Sequence, residues 1–324
     1  MIYSRENYKK KADIKLSVIV PCLNEIDNIK PTQERLKKVC DKLVNDKYEI
    51  LFVDGGSTDG TKELIKHLCN KCPYTIGIIL SRNFDQQTAT TAGMYYSSGE
   101  TVLIIDADLQ DPPEILPKMF EKMKEGYDVV YGKRAERYGE SILYKACCWI
   151  YYKLAKIFSD IEIPENTGDF RLIKREIVDL YLSIPESPRS LRSIFPWLGF
   201  NQIGIEYKRD ERNLGKTKYH FLRMINTALN SIINSSNKIL YTGFFFGLLL
   251  FIVGIFFIFQ SLFTGNSITK QYPDFNLIFF TFLFSINFIF MFLIGRYISN
   301  ISESTKGRPL FIVDKIHRYE ENNE

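Results

Sequence analysis

Histidine is scarce in this sequence, and several signature loops are missing. Of 324 residues only three are His, at positions 67, 220 and 317, so acid–base catalysis by histidine is not expected. No GxGxxG loop follows the first predicted strand and no GxxxxGK[ST] loop occurs, which argues against a dinucleotide dehydrogenase and a P-loop enzyme. The sequence also lacks a nucleophile elbow that would present a catalytic serine.

A strong net charge is also missing. The chain has 42 Lys and Arg against 38 Asp and Glu, a difference of +4, so no nucleic-acid partner is expected. The six Cys include one CxxC pair, Cys69 and Cys72, without a second pair at zinc spacing, and incidental reduced thiols are expected. The first eleven residues are polar, which predicts no signal peptide and a cytosolic N-terminal part.

Charge almost disappears in one long C-terminal region. Residues 239–295 contain only two charged side chains, and two stretches within them, 243–263 and 275–295, have none. Each stretch is long enough to cross about 30 Å of hydrocarbon as a helix. Because basic side chains flank the pair on both sides, the positive-inside rule predicts a transmembrane hairpin over residues 239–300, with both ends in the cytoplasm. A buried helical hairpin in a soluble core is the alternative.

Two further segments mix aromatic side chains with Lys at helical spacing. Residues 137–160 are expected to form an interfacial helix, and residues 216–238 a juxtamembrane amphipathic helix. The alternative for both is an ordinary amphipathic helix packed on the sheet. Residues 301–324 are expected to form a polar, mobile cytoplasmic tail.

The soluble part, residues 1–215, alternates apolar β-branched runs with helical patterns. Strands are predicted at 16–20, 48–53, 75–80, 101–105 and 128–131, and helices at 27–45, 61–70, 87–97 and 114–125. Continuous apolar strands spaced by helices predict an α/β domain with a parallel-type sheet covered on both faces. In such sheets ligands bind beyond the carboxyl ends of the strands, where polar residues lie here.

Carboxylates are the remaining candidates for chemistry. Asp106 and Asp108 follow the fourth predicted strand with one residue between them, so both side chains can point into one cleft. Together with Gln110 they suit a hard divalent cation that also takes diphosphate oxygens. A lone DxD is equally compatible with a solvated turn, but the longer string DADLQDPPE at residues 106–114 is far more specific.

Seven segments between the first strand and the membrane region carry a family resemblance. They are VIVPCLNE (18–25), FVDGGSTDGT (52–61), SRNF (81–84), DADLQDPP (106–113), GKR (132–134), GDFRL (168–172) and RNLGKTKY (212–219). Together they resemble the family 2 glycosyltransferases of the GT-A fold. The likeness is to the polyprenyl-phosphate branch, which includes dolichyl-phosphate mannose synthases and bactoprenol glucosyltransferases.

The resemblance implies a role for each site residue. The base and ribose are expected to contact Pro21, Leu23, Glu25 and Asp54. Asp54 can accept from an imide N–H, which leaves uracil and guanine open. The expected ligands of Mg²⁺ or Mn²⁺ on the diphosphate are Asp106, Asp108 and Gln110. The family's candidate base corresponds to Asp169. The acceptor phosphate is expected at Arg134, Arg137, Lys145, Arg212 and Lys218, although each of these cations could instead contact solvent or lipid headgroups.

Three positions depart from the family pattern. The acidic pair usual after the second strand is here Asp54-Gly55, the usual Gly after SRNF is Asp85, and the usual Ser before the Lys-Tyr pair is Thr217. The first departure is expected to alter the contact to the nucleotide, and the other two bear on donor choice. None of them removes an expected metal ligand.

The function implied by the resemblance is inverting, metal-dependent hexosyl transfer. The expected donor is a nucleotide sugar, with UDP-hexose favoured, and the expected acceptor is undecaprenyl or dolichyl phosphate at the cytoplasmic membrane face, in assembly of a cell-envelope glycan. One alternative is a membrane-anchored family 2 transferase that acts on a hydroxyl of a lipid-linked glycan. Another is a non-catalytic membrane scaffold with a degenerate transferase fold. Homo-oligomerisation is left open.

Overall fold

The computed structural model describes residues 13–135, 153, 164, 167–186, 189–208, 245–249, 252–253 and 273–319. The chain divides into two compact units. The first comprises Met1–Cys148, Ile163–Tyr219 and Arg308–Glu324, and the second comprises Trp149–Glu162 and His220–Gly307. The six segments of the family resemblance that the structure describes therefore belong to the first unit, and the segment 212–219 lies outside the described residues.

Eight strands form one mixed sheet in the first unit. They are β1 (Leu16–Cys22), β2 (Tyr48–Asp54), β3 (Thr75–Leu80), β4 (Thr101–Ile104), β5 (Val129–Arg134), β6 (Thr167–Lys174), β7 (Gln202–Tyr207) and β8 (Val313–His317). Their order across the sheet is β7-β5-β6-β4-β1-β2-β3-β8. β6 and β8 run antiparallel to their neighbours, whereas the other pairs are parallel.

Helices cover both faces of this sheet. The described helices are α1 (Ile26–Val44), α2 (Thr61–Lys71), α3 (Gln86–Tyr96), α4 (Leu116–Lys124), α5 (Arg175–Ser183), α6 (Leu191–Leu198) and, in the second unit, α7 (Pro273–Thr305). Side chains of β1 alternate between two apolar clusters, with Val18 and Val20 facing α1 and α2 and Ile19 facing α3. Because both faces are buried, β1 is apolar along most of its length.

The predicted α/β architecture is confirmed. The five predicted strands and four predicted helices of residues 16–131 all exist, with ends within three residues of the prediction. The sheet is nevertheless not purely parallel, because β6 pairs antiparallel with both β4 and β5. This strand, which carries the GDFRL segment, was not among the predicted strands.

The predicted mobile tail is wrong for part of its length. Residues 313–317 form β8, which pairs antiparallel with β3, with Ile78 opposite Ile316. The edge of β3 has backbone N–H and C=O groups that an added strand satisfies. In addition, Val313 is buried beside α3, and the ring of Phe311 lies 5.9 Å from that of Tyr95. The segment after Gly307 therefore belongs to the first compact unit rather than to a separate tail.

The predicted second membrane span lies in α7. This helix contains a 21-residue stretch, Phe282–Ser302, that is long and apolar enough to cross a membrane, and most of its described Phe side chains are exposed. Of the predicted first span, 243–263, the structure describes only residues 245–249 and 252–253, which are helical. The expected helix over 216–238 lies outside the described residues, as does 137–160 apart from residue 153.

Candidate active site

The strand ends that carry the predicted site residues meet at one edge of the sheet. β1, β2 and β4 are parallel, so Asp54 and Asp106 both emerge at carboxyl ends. β6 runs in the opposite direction, with Arg171 opposite Ile104. Asp169, two residues before Arg171, therefore lies at the same edge as Asp106, two residues after Ile104.

Asp54 is fully buried at the end of β2 and holds the loop that follows it. Its Oδ2 accepts hydrogen bonds from the backbone N–H groups of Gly56 (2.9 Å) and Ser57 (3.0 Å). Its Oδ1 is also buried and has no hydrogen-bond partner among the described residues. Because a buried acceptor without a donor is costly, this oxygen is suited to receive an N–H from a ligand.

The loops after β1 and β2 are held together by hydrogen bonds. The N–H of Asn24 donates to Ser57 Oγ and Asn24 Oδ1 accepts from the N–H of Thr58, both at 2.8 Å. Gly56 has a φ of +87°, and a Cβ there would lie 3.0 Å from the carbonyl carbon of Arg82. Only glycine allows this close approach to the SRNF segment. The two loops therefore form a preformed wall beside Asp54.

The other predicted nucleotide contacts lie in the same wall. Pro21 is buried within β1, and Leu23 and Glu25 are half-buried in the turn after it. The carboxylate of Glu25 accepts from Asn28 Nδ2 at 2.6 Å. At Gly55, where the family has an acid, a Cβ would meet its nearest neighbour at 3.5 Å, so a side chain would fit.

Asp106 and Asp108 occupy the turn after β4. Asp106 Oδ1 accepts from Gln86 Nε2 at 2.7 Å, and Asp108 Oδ1 accepts from the N–H of Gln110 at 3.2 Å. Burial and the negative charges of Asp111, Asp169 and Asp108 raise the pKa of Asp106 to about 8, against the opposing effect of a nearby Arg. Carboxyl groups are thus concentrated at this turn.

Arg134, at the end of β5, lies beside a buried Asp–Tyr pair. Asp111 is buried and accepts a hydrogen bond from the hydroxyl of Tyr207 on β7. Burial acts to lower the pKa of Arg134, but Asp111 and Tyr207 outweigh burial and raise it. A Cβ at Gly168 would lie 2.8 Å from Arg134 Nη2, so the missing side chain makes room for the guanidinium. Arg134 Nε is buried without a partner among the described residues.

Asp169 is buried between an amide and a guanidinium. Its Oδ2 accepts from Gln87 Nε2 at 2.9 Å, and its Oδ1 accepts from Arg192 Nε at 3.2 Å. Burial acts to raise the pKa of Asp169, but the charges of Arg192 and Arg171 and both hydrogen bonds hold it below its usual value. Asp169 is therefore ionised at neutral pH and poorly suited to take a proton.

Arg171 supports this carboxylate from the buried side. Its Nη2 donates to the carbonyl of Gly168 (3.0 Å) and its Nη1 to the carbonyl of Leu191 (3.1 Å). Its guanidinium lies 5.0 Å from the centre of the Phe195 ring. Burial lowers the pKa of Arg171 to about 10, which leaves it charged at neutral pH.

The start of α3 supplies the amides that hold two of the site carboxylates. Gln86 contacts Asp106 and Gln87 contacts Asp169. The residue before them, Asp85, caps the helix by accepting from the N–H of Thr88 at 2.7 Å. Asp85 has φ 153° and ψ 175°, a backbone conformation that is essentially restricted to glycine.

Comparison with known proteins identifies the family. Residues 17–182 match the family model described as glycosyl transferase family 2. The chain is a family 2 glycosyltransferase. The predicted family is thereby confirmed.

Relatives match this glycosyltransferase over almost its whole length. The uncharacterized glycosyltransferase YkcC of Bacillus subtilis (strain 168) is 40% identical over 312 residues, which cover 95% of each chain. The SfII prophage-derived bactoprenol glucosyl transferase of Shigella flexneri is 34% identical over 309 residues, covering 94% of this chain and 99% of its own.

A solved structure agrees with the fold. The mannosyltransferase PcManGT from Pyrobaculum calidifontis, in complex with GDP-Man and Mn²⁺, has a TM-score of 0.50 and 19% identity, covering 70% of this chain and 66% of its own. At this identity the likeness extends to the fold alone, and the predicted GT-A class is confirmed.

The chemistry of the acidic turn fits a divalent cation in this glycosyltransferase. Asp106, Asp108 and Gln110 offer oxygen ligands, the kind that Mg²⁺ and Mn²⁺ prefer. Among the described residues no group of three or more His, Cys, Asp or Glu side chains is arranged to hold a metal. Two carboxylates suffice where phosphate oxygens and water complete the coordination shell, as is usual for Mg²⁺.

The predicted acceptor-phosphate set is only partly visible. Of its five cations the structure describes Arg134 alone, since Arg137, Lys145, Arg212 and Lys218 lie outside the described residues.

Sequence reasoning missed several side chains that contact the predicted residues. They are Gln86, Gln87, Asp111, Arg171, Arg192 and Tyr207. Four of these lie within a quoted segment or at most three residues after one, and could have been suspected there. Arg192 and Tyr207 have no such local signal, because they contact the site only through the fold.

Proposed function

We propose that this glycosyltransferase moves a hexose from a nucleotide sugar, with a UDP-hexose as the favoured donor, to the phosphate of a polyprenol. The observation that carries the donor half is the pairing of two features at one sheet edge. One is the buried Oδ1 of Asp54, which accepts no hydrogen bond from the described residues and suits a base N–H. The other is the carboxylate pair Asp106 and Asp108. The first feature complements a base, and the second complements a metal-bound diphosphate.

The acceptor half rests on the relatives and on charge. The Shigella relative named as a bactoprenol glucosyl transferase matches over 99% of its own length. Arg134 supplies a guanidinium at the same edge as Asp106, and guanidinium groups pair well with phosphate oxygens. The other predicted cations, Arg137, Lys145, Arg212 and Lys218, extend this set in the proposal.

The reaction proposed is one inverting displacement. An oxygen of the lipid phosphate attacks the anomeric carbon, a new C–O bond forms, and the bond from that carbon to the diphosphate oxygen breaks, which releases the nucleoside diphosphate. Asp106, Asp108 and Gln110 would hold Mg²⁺ or Mn²⁺, which when bound neutralises charge on the leaving diphosphate. Asp169 stays ionised and keeps Arg192 at the site.

Chain topology supports a cytoplasmic site with a two-span anchor. β7 and β8 belong to the same sheet, and α7 lies between them in the sequence. A sheet lies on one side of a membrane, so any crossing by α7 requires a second crossing between Tyr207 and Val313. Residues 243–263 are the proposed second crossing, and the basic flanks of the hairpin favour a cytoplasmic catalytic unit by the positive-inside rule.

Transfer by the purified full-length protein tests the proposal. The protein in detergent is incubated with undecaprenyl phosphate, Mg²⁺ or Mn²⁺ and a panel of UDP- and GDP-sugars, and lipid products are identified by mass spectrometry. One sugar should appear on the lipid phosphate, and unphosphorylated undecaprenol should accept none. If no donor in the panel gave a sugar on the lipid phosphate, the proposal would be contradicted.

A matched pair of variants tests the metal assignment within the same assay. Asp108→Ala should abolish turnover and keep the fold, because the side chain lies in a turn at a strand end, and excess EDTA should do the same to the wild type. Glu114→Ala is the control, since this exposed carboxylate pairs with Arg35 at 2.7 Å and lies outside the expected metal ligands. Full activity of Asp108→Ala would rule out its role as a ligand.

A further inference from the structure

Gln87 joins three elements of the catalytic unit through one amide group. Its Nε2 donates to Asp169 Oδ2 on β6, and its Oε1 accepts from the backbone N–H of Leu191 at the start of α6, both at 2.9 Å. The side chain itself belongs to the first turn of α3. Both polar ends of a half-buried side chain are thus used, one on a carboxylate and one on a helix terminus.

The start of α6 depends on this contact. The first N–H groups of a helix lack partners within the helix and normally take a side-chain acceptor from the N-cap residue. Here the N-cap residue, Ser190, makes no such bond, and Gln87 supplies the acceptor for Leu191 from another part of the chain. The carbonyl of Leu191 is held in turn by Arg171 Nη1.

The residue fixed in this way is next to Arg192. Arg192 follows Leu191 directly, is 47% exposed, and donates from Nε to Asp169 Oδ1 at 3.2 Å. Gln87 therefore holds both partners of the Asp169–Arg192 ion pair, one through a carboxylate oxygen and the other through the backbone beside it. Without the amide, the carboxylate would lose one of its two side-chain donors and α6 would lose the acceptor at its first residue.

We infer that Gln87 is a positioning residue of the transferase site, which sets the geometry of the Asp169–Arg192 ion pair for catalysis. The inference rests on the proposed function, since it concerns the same site. Gln87 acts through Asp169 and Arg192 rather than on the sugar or the lipid. Its loss should therefore lower kcat while leaving KM for donor and acceptor nearly unchanged.

Two substitutions of nearly equal size separate the two ends of the amide. Gln87→Met removes both hydrogen bonds. Gln87→Glu keeps an acceptor for the Leu191 N–H but sets a second carboxylate against Asp169. Each should lower kcat at pH 8 by about tenfold or more, because a hydrogen bond to a charged group is lost. KM should change by less than about threefold.

The pH dependence of Gln87→Glu distinguishes positioning from a purely structural role. Two adjacent carboxylates share one proton more readily than isolated ones, and a protonated Glu can donate to Asp169 as the amide does. The charged groups that face this pair are Arg192 and Arg171, and Asp106 is a titratable neighbour of Asp169. The kcat deficit of Gln87→Glu relative to wild type should therefore shrink from pH 8 to pH 6, while that of Gln87→Met stays constant.

Gln33→Met is the matched control. Gln33 on α1 is buried and donates to Thr75 Oγ1 at 2.7 Å, at the end of β3 away from the site. Its substitution should lower the melting temperature and leave kcat unchanged. If Gln87→Met behaves like this control, or if the Gln87→Glu deficit does not depend on pH, the inference is overturned. Absence of lipid-phosphate transfer by the wild type would instead overturn the proposed function, and this inference with it.

Discussion

Asp169 is surrounded by groups that favour its charged form. Gln87 and Arg192 donate to its two oxygens, and the charges of Arg192 and Arg171 outweigh the effect of burial and lower its pKa. A carboxylate with a lowered pKa is a weak base. The proposed acceptor also needs little help, because the second pKa of a phosphate monoester is about 6 and most of it is dianionic above pH 7.

The first prediction follows from this environment. Asp169→Asn should lower turnover by about 10²-fold or more, because the ion pair with Arg192 is lost. Since the pKa of Asp169 is lowered, it stays ionised from about pH 5.5 to 8.5 and does not titrate there. The loss should therefore be nearly constant between about pH 7 and 8.5. Saturated rates of both proteins from about pH 5.5 to 8.5, which brackets the second pKa of the acceptor, test the prediction. A deficit that closes steadily as pH rises would identify Asp169 as a true base.

Asp85 combines a favourable cap with an unfavourable backbone. Its carboxylate accepts from the N–H of Thr88, but its φ of 153° with ψ of 175° lies in a region that costs a non-glycine residue about 1–3 kcal/mol. Replacing an Asp cap by Gly costs only a few tenths of a kcal/mol. The strain is therefore larger than the benefit of the cap, and it is located immediately before Gln86 and Gln87.

The second prediction compares two substitutions of Asp85. Asp85→Gly should raise the free energy of unfolding by about 1 kcal/mol, because it relieves strain and loses little capping. Asp85→Ala should lower it by about 1 kcal/mol, because it loses the cap and keeps the strain. Urea unfolding of the two variants and the wild type measures both. Equal effects of the same sign would show that Asp85 is not strained.

Among the described elements, the short strand β8 stabilises parts of the chain that lie outside it. It completes the sheet beside β3, and the residue before it, Ile312, accepts a hydrogen bond from the N–H of Ser81 at 2.9 Å. Ser81 opens the SRNF segment, whose next residues approach Gly56. A strand that follows the apolar α7 in sequence thus supports a loop of the site.

The third prediction tests β8. Val313→Asp should lower the free energy of unfolding by about 3 kcal/mol or more, because it places a charge in an apolar cluster at a position that is 3% exposed. Asp314→Asn, an exposed neighbour on the same strand, should change it by less than about 0.5 kcal/mol. Thermal unfolding of the full-length proteins in detergent compares them. If Val313→Asp unfolded at the same temperature as the wild type, β8 would be dispensable for stability.

At the scale of the whole molecule, the return of the chain to the sheet makes a topological prediction. Tags at Met1 and Glu324 should both be protected from protease in intact cells and become accessible together when the membrane is opened. The reason is that β1 and β8 belong to one sheet, so the segments attached to them lie on one side. Access to the C-terminal tag alone from outside would rule out an even number of crossings.

Local pattern accounts for most of the fold and about half of the site. The β1 to β5 strands and the four helices between β1 and β5 follow from apolar runs, helical periodicity and turn residues, which are short-range signals. β6 and β8 were missed because their pairing partners are distant in sequence. Asp54, Asp106, Asp108 and Asp169 were found because they lie in recognisable segments. Gln87 and Arg192 were missed because each matters through a contact with Asp169, which is distant in sequence. Asp169 is 82 positions from Gln87 and 23 positions from Arg192.

The sequence by itself determined the family, the α/β class, the carboxylates at the strand ends and the apolar C-terminal region, since all of these are written in composition and local motifs. Only the tertiary structure decided the charge state of Asp169, the strained backbone at Asp85, and the return of residues 313–317 to the sheet. A pKa depends on the charges and donors that the fold brings near a carboxyl group, and an edge strand depends on an open sheet edge. Neither is a property of neighbouring residues in the chain.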